Sequence, residues 1–161
     1  AIYPGSFDPI TNGHVDIATR ASRLFGKVII AVFATPNKPN KRLSFTIEER
    51  VEMARKAVAH LPNVEVQPYS SLTIDFARQV GAQVMVRGLR MSADFENEFE
   101  MAMMNKVLSP DLEIICFMAS HEYQFLSSSL MKEAASLGGN IASFVPKHVA
   151  EALKKRAADG I

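Results

Sequence analysis

Four short stretches of the chain hold side chains suited to phosphate chemistry. The first is Pro4-Gly5-Ser6-Phe7-Asp8-Pro9-Ile10-Thr11-Asn12-Gly13-His14, rich in turn formers and leading into a segment of helical period. Gly5 and Gly13 permit close backbone approach, and a helix start offers free N–H groups and partial positive charge to an anion. His14 falls in the first helical turn, where it can face such an anion or act only as a helix-start hydrogen-bonder. The stretch is neither a Walker A loop nor a GxGxxG fingerprint. The second stretch holds Lys38, Lys41 and Arg42 in a loop with Pro and Asn. Lys38 lies nearest the preceding strand and is the better ligand candidate, while Lys41 and Arg42 read as solvated cations. The third is Arg87-Gly88-Leu89-Arg90, after a strand, whose two guanidinium groups suit bidentate binding of phosphate oxygens. Asp94, Glu96, Glu98 and Glu100 follow it, and Asp94 and Glu96 read as complements to a helix dipole. The fourth runs from Ser120 through Leu126 into Ser127, Ser128 and Ser129, then Lys132. Capping a helix takes one hydroxyl, so the surplus points to an anion site.

Something must hold these stretches together. Short apolar runs at Ala1 to Tyr3, Val28 to Ala34, Val64 to Val66, Val84 to Val86 and Glu113 to Met118 read as strands, several apolar throughout, as in parallel sheets buried on both faces. Helical stripes separate them. Val15, Ile17, Ala18, Ala21 and Leu24 form one, stopping before Gly26, and Thr46-Ile47-Glu48-Glu49 is a capping-box sequence opening a second that runs to about His60. Further helices are expected over Leu72 to Val80, Ser92 to Leu108, Ser128 to Leu137 and after Pro146. Strands alternating with helices imply right-handed crossovers and an α/β fold, a Rossmann-like, doubly wound, five-stranded parallel sheet. Ligands of such sheets lie beyond the carboxyl ends of the strands, where all four stretches fall.

The chain has 161 residues, 48% of them hydrophobic and 22% charged, enough for a single domain that buries about 70% of its unfolded surface without disulfide or structural metal. Eighteen basic against 17 acidic residues leave a net charge of +1, too little basic excess for a nucleic-acid scaffold. Cys116 is the sole cysteine, which excludes an internal disulfide and any multi-Cys zinc site. It reads as a small core residue within its apolar strand and fits a reducing, cytoplasmic setting. His60, His121 and His148 show no metal-ligand spacing. No run approaches the about 18 apolar residues of a membrane span, and no secretory pattern opens the chain. The first residue is Ala1 rather than Met, so a few residues are expected to precede it. Phe95, Phe99, Ala102 and Met103 share a helical stripe that reads as core or subunit contact.

Thr11-Asn12-Gly13-His14 matches the T/HxGH signature of the nucleotidyltransferase superfamily, which shares a fold with class I aminoacyl-tRNA synthetases. With the whole of 4 to 14, RGLR at 87 to 90, DFENE at 94 to 98 and the late serine run, the chain resembles the bacterial phosphopantetheine adenylyltransferase family over essentially its full length. Thr11 stands where many superfamily members have His. The resemblance implies reversible transfer of AMP from ATP to 4′-phosphopantetheine, giving dephospho-coenzyme A and pyrophosphate, with Mg²⁺ carried on the phosphates and no dedicated protein ligand. It also implies catalytic roles for His14, Ser6 and Lys38. ATP would be bound by Ser6, Phe7, His14, Gly88, Leu89, Arg90, Glu98 and the run Tyr123, Gln124, Phe125, Leu126, Ser127, Ser128 and Ser129. The acceptor would be bound by Ser6, Lys38, Thr73 and Arg87. A homohexamer and feedback inhibition by coenzyme A are implied too. Alternatives are a transferase of the same superfamily with another acceptor, such as nicotinate mononucleotide or glycerol phosphate, and a non-catalytic nucleotide-binding module. The residue inventory suits the transferase: a phosphate acceptor is already mostly dianionic near pH 7, so positioning and charge stabilisation suffice.

Overall fold

The computed structural model describes residues 1–34 and 43–158. Lys38, Lys41 and Arg42 lie outside the described residues.

Five strands, β1 (Ile2–Gly5), β2 (Val28–Phe33), β3 (Val64–Tyr69), β4 (Val84–Leu89) and β5 (Glu113–Met118), form one sheet in the order β3-β2-β1-β4-β5. Every pairing is parallel. The helices are α1 (Asn12–Leu24), α2 (Ile47–Val58), α3 (Thr73–Gln79), α4 (Ser92–Leu108), α5 (Ser128–Ser136) and α6 (Lys147–Ala158), with a short 3₁₀ turn at His121–Tyr123. Strand order reverses between β1 and β4, the position where open α/β sheets bind ligands. Alternation along the strands divides the core. Tyr3, Ile30, Val32, Val66, Val86 and Phe117 face one cluster with residues of α1, α2, α5 and α6. Ile2, Ile29, Ala31, Tyr69 and Met85 face a second with Ile74, Phe76 and Ala77 of α3.

The expected doubly wound sheet is present, with instructive differences at strand ends. β3 continues three residues past Val66, through Gln67 and Pro68. It is an edge strand, where a polar side chain meets water and a proline forfeits no ladder bond. β4 includes Arg87, Gly88 and Leu89, so most of the expected loop is strand, and alternation sends Arg87 to the face opposite Val86.

Two expectations of burial fail. Cys116 is exposed, as are Ile115 and Met118. β5 ends the sheet order and pairs with β4, so its apolar run marks an edge strand on which Phe117 is buried in the core while Ile115, Cys116 and Met118 are exposed. Core is also wrong for the stripe on α4: Phe95 and Phe99 stack at 6.0 Å yet are 56% and 55% exposed, and Met103 is exposed with them. The helix is apolar on most of its circumference, a pattern that calls for burial against something.

Exposure at the sheet edge removes any core-packing cost at Cys116. Cys116→Ser is therefore expected to keep turnover within about twofold and the melting temperature within about 2 °C. Loss of activity in fully folded Cys116→Ser enzyme, by circular dichroism and pyrophosphate release, would give the thiol a role that its position does not suggest.

Candidate functional site

The site is built on the turn between β1 and α1. Thr11 caps α1, its side chain accepting from the His14 N–H, and His14 returns the bond as the third residue of a capping box. The Thr11 N–H donates to His14 Nδ1 at 3.0 Å. Since Nδ1 accepts, the neutral ring carries its proton on Nε2. Phe7 packs edge-on to His14 at 5.1 Å and to Tyr3 at 5.4 Å, and adopts φ +44°, a left-handed backbone uncommon outside glycine and found preferentially at functional turns. Burial, with the Arg90 charge adding to it, pulls the His14 pKa down to about 4. The imidazole is therefore a neutral N–H donor at physiological pH, suited to oxyanion stabilisation. The sequence left open whether His14 caps the helix or faces an anion. It caps through Nδ1, leaving Nε2 for the other task.

Arg50 and Asp8, which the sequence did not single out, hold this turn together with Ser128 and Lys132, which it did. Arg50, on α2, is 1% exposed. Its Nη1 donates to the Ser6 carbonyl at 2.7 Å and the Phe33 carbonyl at 2.8 Å, its Nη2 to the Ala34 carbonyl and its Nε to the Phe45 carbonyl. Asp8, 2% exposed, accepts from the Ser44 and Phe45 N–H groups and from Lys132 Nζ at 2.7 Å. Ser128 Oγ donates to the Pro9 carbonyl at 2.8 Å. Arg50 has the period of a helix face and Asp8 the look of a turn former, so neither announced burial. The turn is thereby tied to the end of β2, to the segment before α2 and to the start of α5.

The two arginines of the RGLR stretch lie in different settings. Arg87 donates through Nε and Nη2 to the Glu98 carboxylate, and through Nη1 to the Pro4 carbonyl at 3.0 Å. Burial acts to lower its pKa, and the bond and charge of Glu98 outweigh it. Arg87 and Glu98 border a solvent-open cleft of about 580 Å³ that Leu72, Thr73, Met101 and Asn105 also line. Thr73 stands there at the start of α3, its hydroxyl 2.9 Å from the Tyr69 hydroxyl. Arg90 forks onto Asp94 through Nε and Nη2 and donates through Nη1 to the Leu126 carbonyl at 2.8 Å. Asp94 is thus an arginine partner rather than only a dipole complement. Burial would raise its pKa, but the Arg90 hydrogen bonds hold it below the usual value.

The serine run divides its work. Ser127 caps α5, accepting from the Leu130 N–H at 3.0 Å, and Ser128 is the tie to Pro9, which leaves Ser129 as the exposed hydroxyl of the three. The surplus inferred from sequence is smaller than three hydroxyls suggested. Leu126 is buried in the core, so what it offers the site is its carbonyl. Phe125 is half exposed and packs edge-on to Phe144 at 5.3 Å. Tyr123 sits over Gly13, where a Cβ would come within 3.3 Å of it, so the glycine of the NGH triplet permits this approach. Among the described residues no three His, Cys, Asp or Glu side chains cluster to hold a metal ion. No helix among them is long and apolar enough to cross a membrane.

Residues 2–134 match the family model described as Cytidylyltransferase-like. The chain is 57% identical over 155 residues to a phosphopantetheine adenylyltransferase of Roseiflexus sp. (strain RS-1), covering 96% of this chain and 95% of that one. The chain belongs to the phosphopantetheine adenylyltransferase family. A second member, from Herpetosiphon aurantiacus, is 53% identical over 96% of this chain and 92% of its own. The fold has a solved counterpart in nicotinic acid mononucleotide adenylyltransferase of Plasmodium falciparum complexed with NaAD, with TM-score 0.69, 14% identity and coverage of 96% and 93%. At that identity the likeness speaks for the nucleotidyltransferase fold alone. Membership makes the chain a nucleotidyltransferase enzyme of coenzyme A biosynthesis.

His14→Ala should lower kcat by roughly 10²- to 10⁴-fold, as loss of a preorganised donor does elsewhere, with much smaller change in substrate binding; near-normal kcat would remove His14 from the reaction. The depressed pKa also carries a sign. Between pH 6.5 and about 4 the unfolded chain binds the proton that folded His14 refuses, so stability falls as pH drops through that window. Denaturant titrations should show a loss of order 3 kcal/mol that His14→Ala lacks, and an imidazole NMR midpoint near 6.5 would contradict it.

Because Arg87 and Arg90 occupy separate settings, their defects should separate by substrate. Arg90→Ala is expected to weaken ATP and Arg87→Ala the acceptor, and Arg→Lys should impair each, since an ammonium cannot reproduce the planar fork. Calorimetric Kd values that move for the same substrate in both variants would show the two settings to be one site.

Proposed function

We infer that the chain transfers AMP reversibly from ATP to 4′-phosphopantetheine, forming dephospho-coenzyme A and pyrophosphate, by direct in-line displacement at the α-phosphorus. The observation that carries the reading is a neutral, capped His14 at the β1/β4 reversal, with Arg87 in a largely apolar cleft and Arg90 in a second cationic setting. Two cationic settings suit a reaction between two phosphate-bearing substrates, and the cleft, with Leu72, Met101 and Asn105 on its walls, suits a pantetheine arm. The names of the relatives at 53% and 57% identity favour this acceptor over other phosphorylated ones.

In this reading the acceptor phosphate attacks without a general base, being mostly dianionic near pH 7. Ser6 and the Phe7 backbone hold the acceptor and α-phosphate oxygens, and His14 donates from Nε2 to charge that builds on the α-phosphate. Arg87 and Lys38 bind the acceptor phosphate, and Thr73 contacts the pantetheine arm. Gly88, Leu89, Arg90 and the stretch Tyr123, Gln124, Phe125, Leu126, Ser127, Ser128 and Ser129 hold ATP. Glu98, given to ATP by the resemblance, would reach it only while bracing Arg87. Asp8, Asp94 and Glu98 are each engaged by a cation, so Mg²⁺ is best accommodated on the substrate phosphates, as suits an ion that dehydrates reluctantly. Bound there, it would offset charge on the polyphosphate.

The reading extends to a single domain over 1–161, since α6, beyond the matched residues, joins the same core through Val149, Ala150 and Leu153. It extends to a cytoplasmic homohexamer, for which the exposed apolar face of α4 is the support. Coenzyme A, which shares the pantetheine arm, would compete for the cleft and act as feedback inhibitor.

Direct displacement is tested by isotope exchange. With ATP, Mg²⁺ and labelled pyrophosphate but no acceptor, label should not enter ATP, and adding dephospho-coenzyme A should start exchange through the reverse reaction. Acceptor-independent exchange with protein-bound AMP would establish a covalent route, with His14 as its nucleophile.

A further inference from the structure

Arg50 poses a problem that packing does not answer. A guanidinium with 1% exposure is costly to desolvate, and an apolar side chain of similar volume often serves stability equally well or better. No carboxylate among the described residues lies within ion-pair distance of it. Its partners are four backbone carbonyls, at Ser6, Phe33, Ala34 and Phe45. These belong to three separate segments at the carboxyl end of the sheet, and one nitrogen, Nη1, bridges the ends of β1 and β2. The residue after Ser6 is Phe7, in its left-handed conformation and against the His14 ring. The next is Asp8, pinned by the N–H of Phe45, whose carbonyl Arg50 holds. Arg50 therefore fixes the turn from the Ser6 side and, through Phe45, from the Asp8 side.

We propose that Arg50 is a positioning residue for adenylyl transfer, holding the Ser6–Phe7 backbone in the arrangement that in-line displacement requires. The proposal rests on the reading of Ser6, Phe7 and His14 given above. It makes the arginine matter to turnover more than to ground-state binding, because a small shift of the turn misaligns the reacting groups while leaving most substrate contacts in place.

The test compares wild type, Arg50→Lys and Arg50→Met in a pyrophosphate-release assay with ATP, Mg²⁺ and 4′-phosphopantetheine, at temperatures where circular dichroism shows each protein folded. Wild type without release with 4′-phosphopantetheine would overturn the acceptor reading alone, and the comparison is then made with whichever phosphorylated acceptor supports release. Lysine keeps the charge but offers three donors from a point and cannot span four carbonyls on three segments. Arg50→Lys should lower kcat by about 10- to 100-fold, with the Kd for ATP within about threefold of wild type, and Arg50→Met should lower kcat at least as far. A purely structural role would lower the melting temperature and leave kcat per folded molecule intact. Folded Arg50→Lys enzyme with kcat within threefold of wild type, or a loss confined to KM, overturns the proposal. If Arg50→Met does not fold, Arg50→Lys decides alone.

Discussion

The turn between β1 and α1 is held by buried charge, and the rest of the site takes its position from that. Arg50 gathers carbonyls from the ends of β1 and β2 and from Phe45, while Asp8 gathers the N–H groups of Ser44 and Phe45 and the Lys132 ammonium. A loop carrying so many backbone polar groups cannot be buried unless each finds a partner. Two ionised side chains provide partners for several at once. What results is rigid in the sense that matters for catalysis: a donor or acceptor removed from this set leaves the others desolvated and unpaired, so alternative arrangements of the turn are costly. That constraint can sustain the φ of +44° at Phe7, which the residue's own preference opposes.

Both site arginines are paired within the chain, Arg87 with Glu98 and Arg90 with Asp94. Such pairing might be thought to compete with phosphate, but each guanidinium has five N–H donors in a planar fork. Arg87 uses three of them on Glu98 and Pro4. The carboxylate fixes the plane of the guanidinium, which borders the cleft, and two N–H donors remain beyond those three. Orienting a long side chain beforehand removes part of the entropy that binding would otherwise have to supply.

How much of this was legible in the sequence depends on whether a residue's partner is near in the chain. The capping box at Thr46 and Glu49 is a local pattern and stands as read, both bonds present. The five strands were legible from apolar runs, and the phosphate-suited stretches from turn chemistry at their ends. The extension of β3 was not, because Glu65, Gln67 and Pro68 carry no apolar signal and their pairing with β2 is made by backbone. Arg50 and Asp8 were illegible for a stronger reason: their partners lie up to 124 residues away, and a charged residue on a helix or in a turn reads by default as solvated. The reverse difference occurs at Cys116, read as core yet exposed, and along α4, where of the two readings, core or subunit contact, core does not hold. Hydrophobic pattern reports the need for burial without saying whose surface meets it.

The capping role of His14 ties these points to the chemistry. A histidine at ordinary pKa would be partly protonated near neutrality, and its charge would bind phosphate well in ground state and transition state alike, which does nothing for the chemical step. Here the Thr11 N–H occupies Nδ1, burial and Arg90 disfavour the cation, and the proton is confined to Nε2. A neutral donor has modest affinity for a phosphate diester oxygen and gains most as charge accumulates there, so its contribution is weighted toward the transition state. On the proposed reading, the fixed cations for the substrates are the arginines, which cannot lose their protons. Permanent charge and neutral dipole are therefore kept on separate elements, Arg87 in β4 and Arg90 just after it, His14 in the first turn of α1. The tautomer is fixed by the backbone N–H at position 11, and the threonine there, standing where many superfamily members have a histidine, adds the hydroxyl that caps the helix.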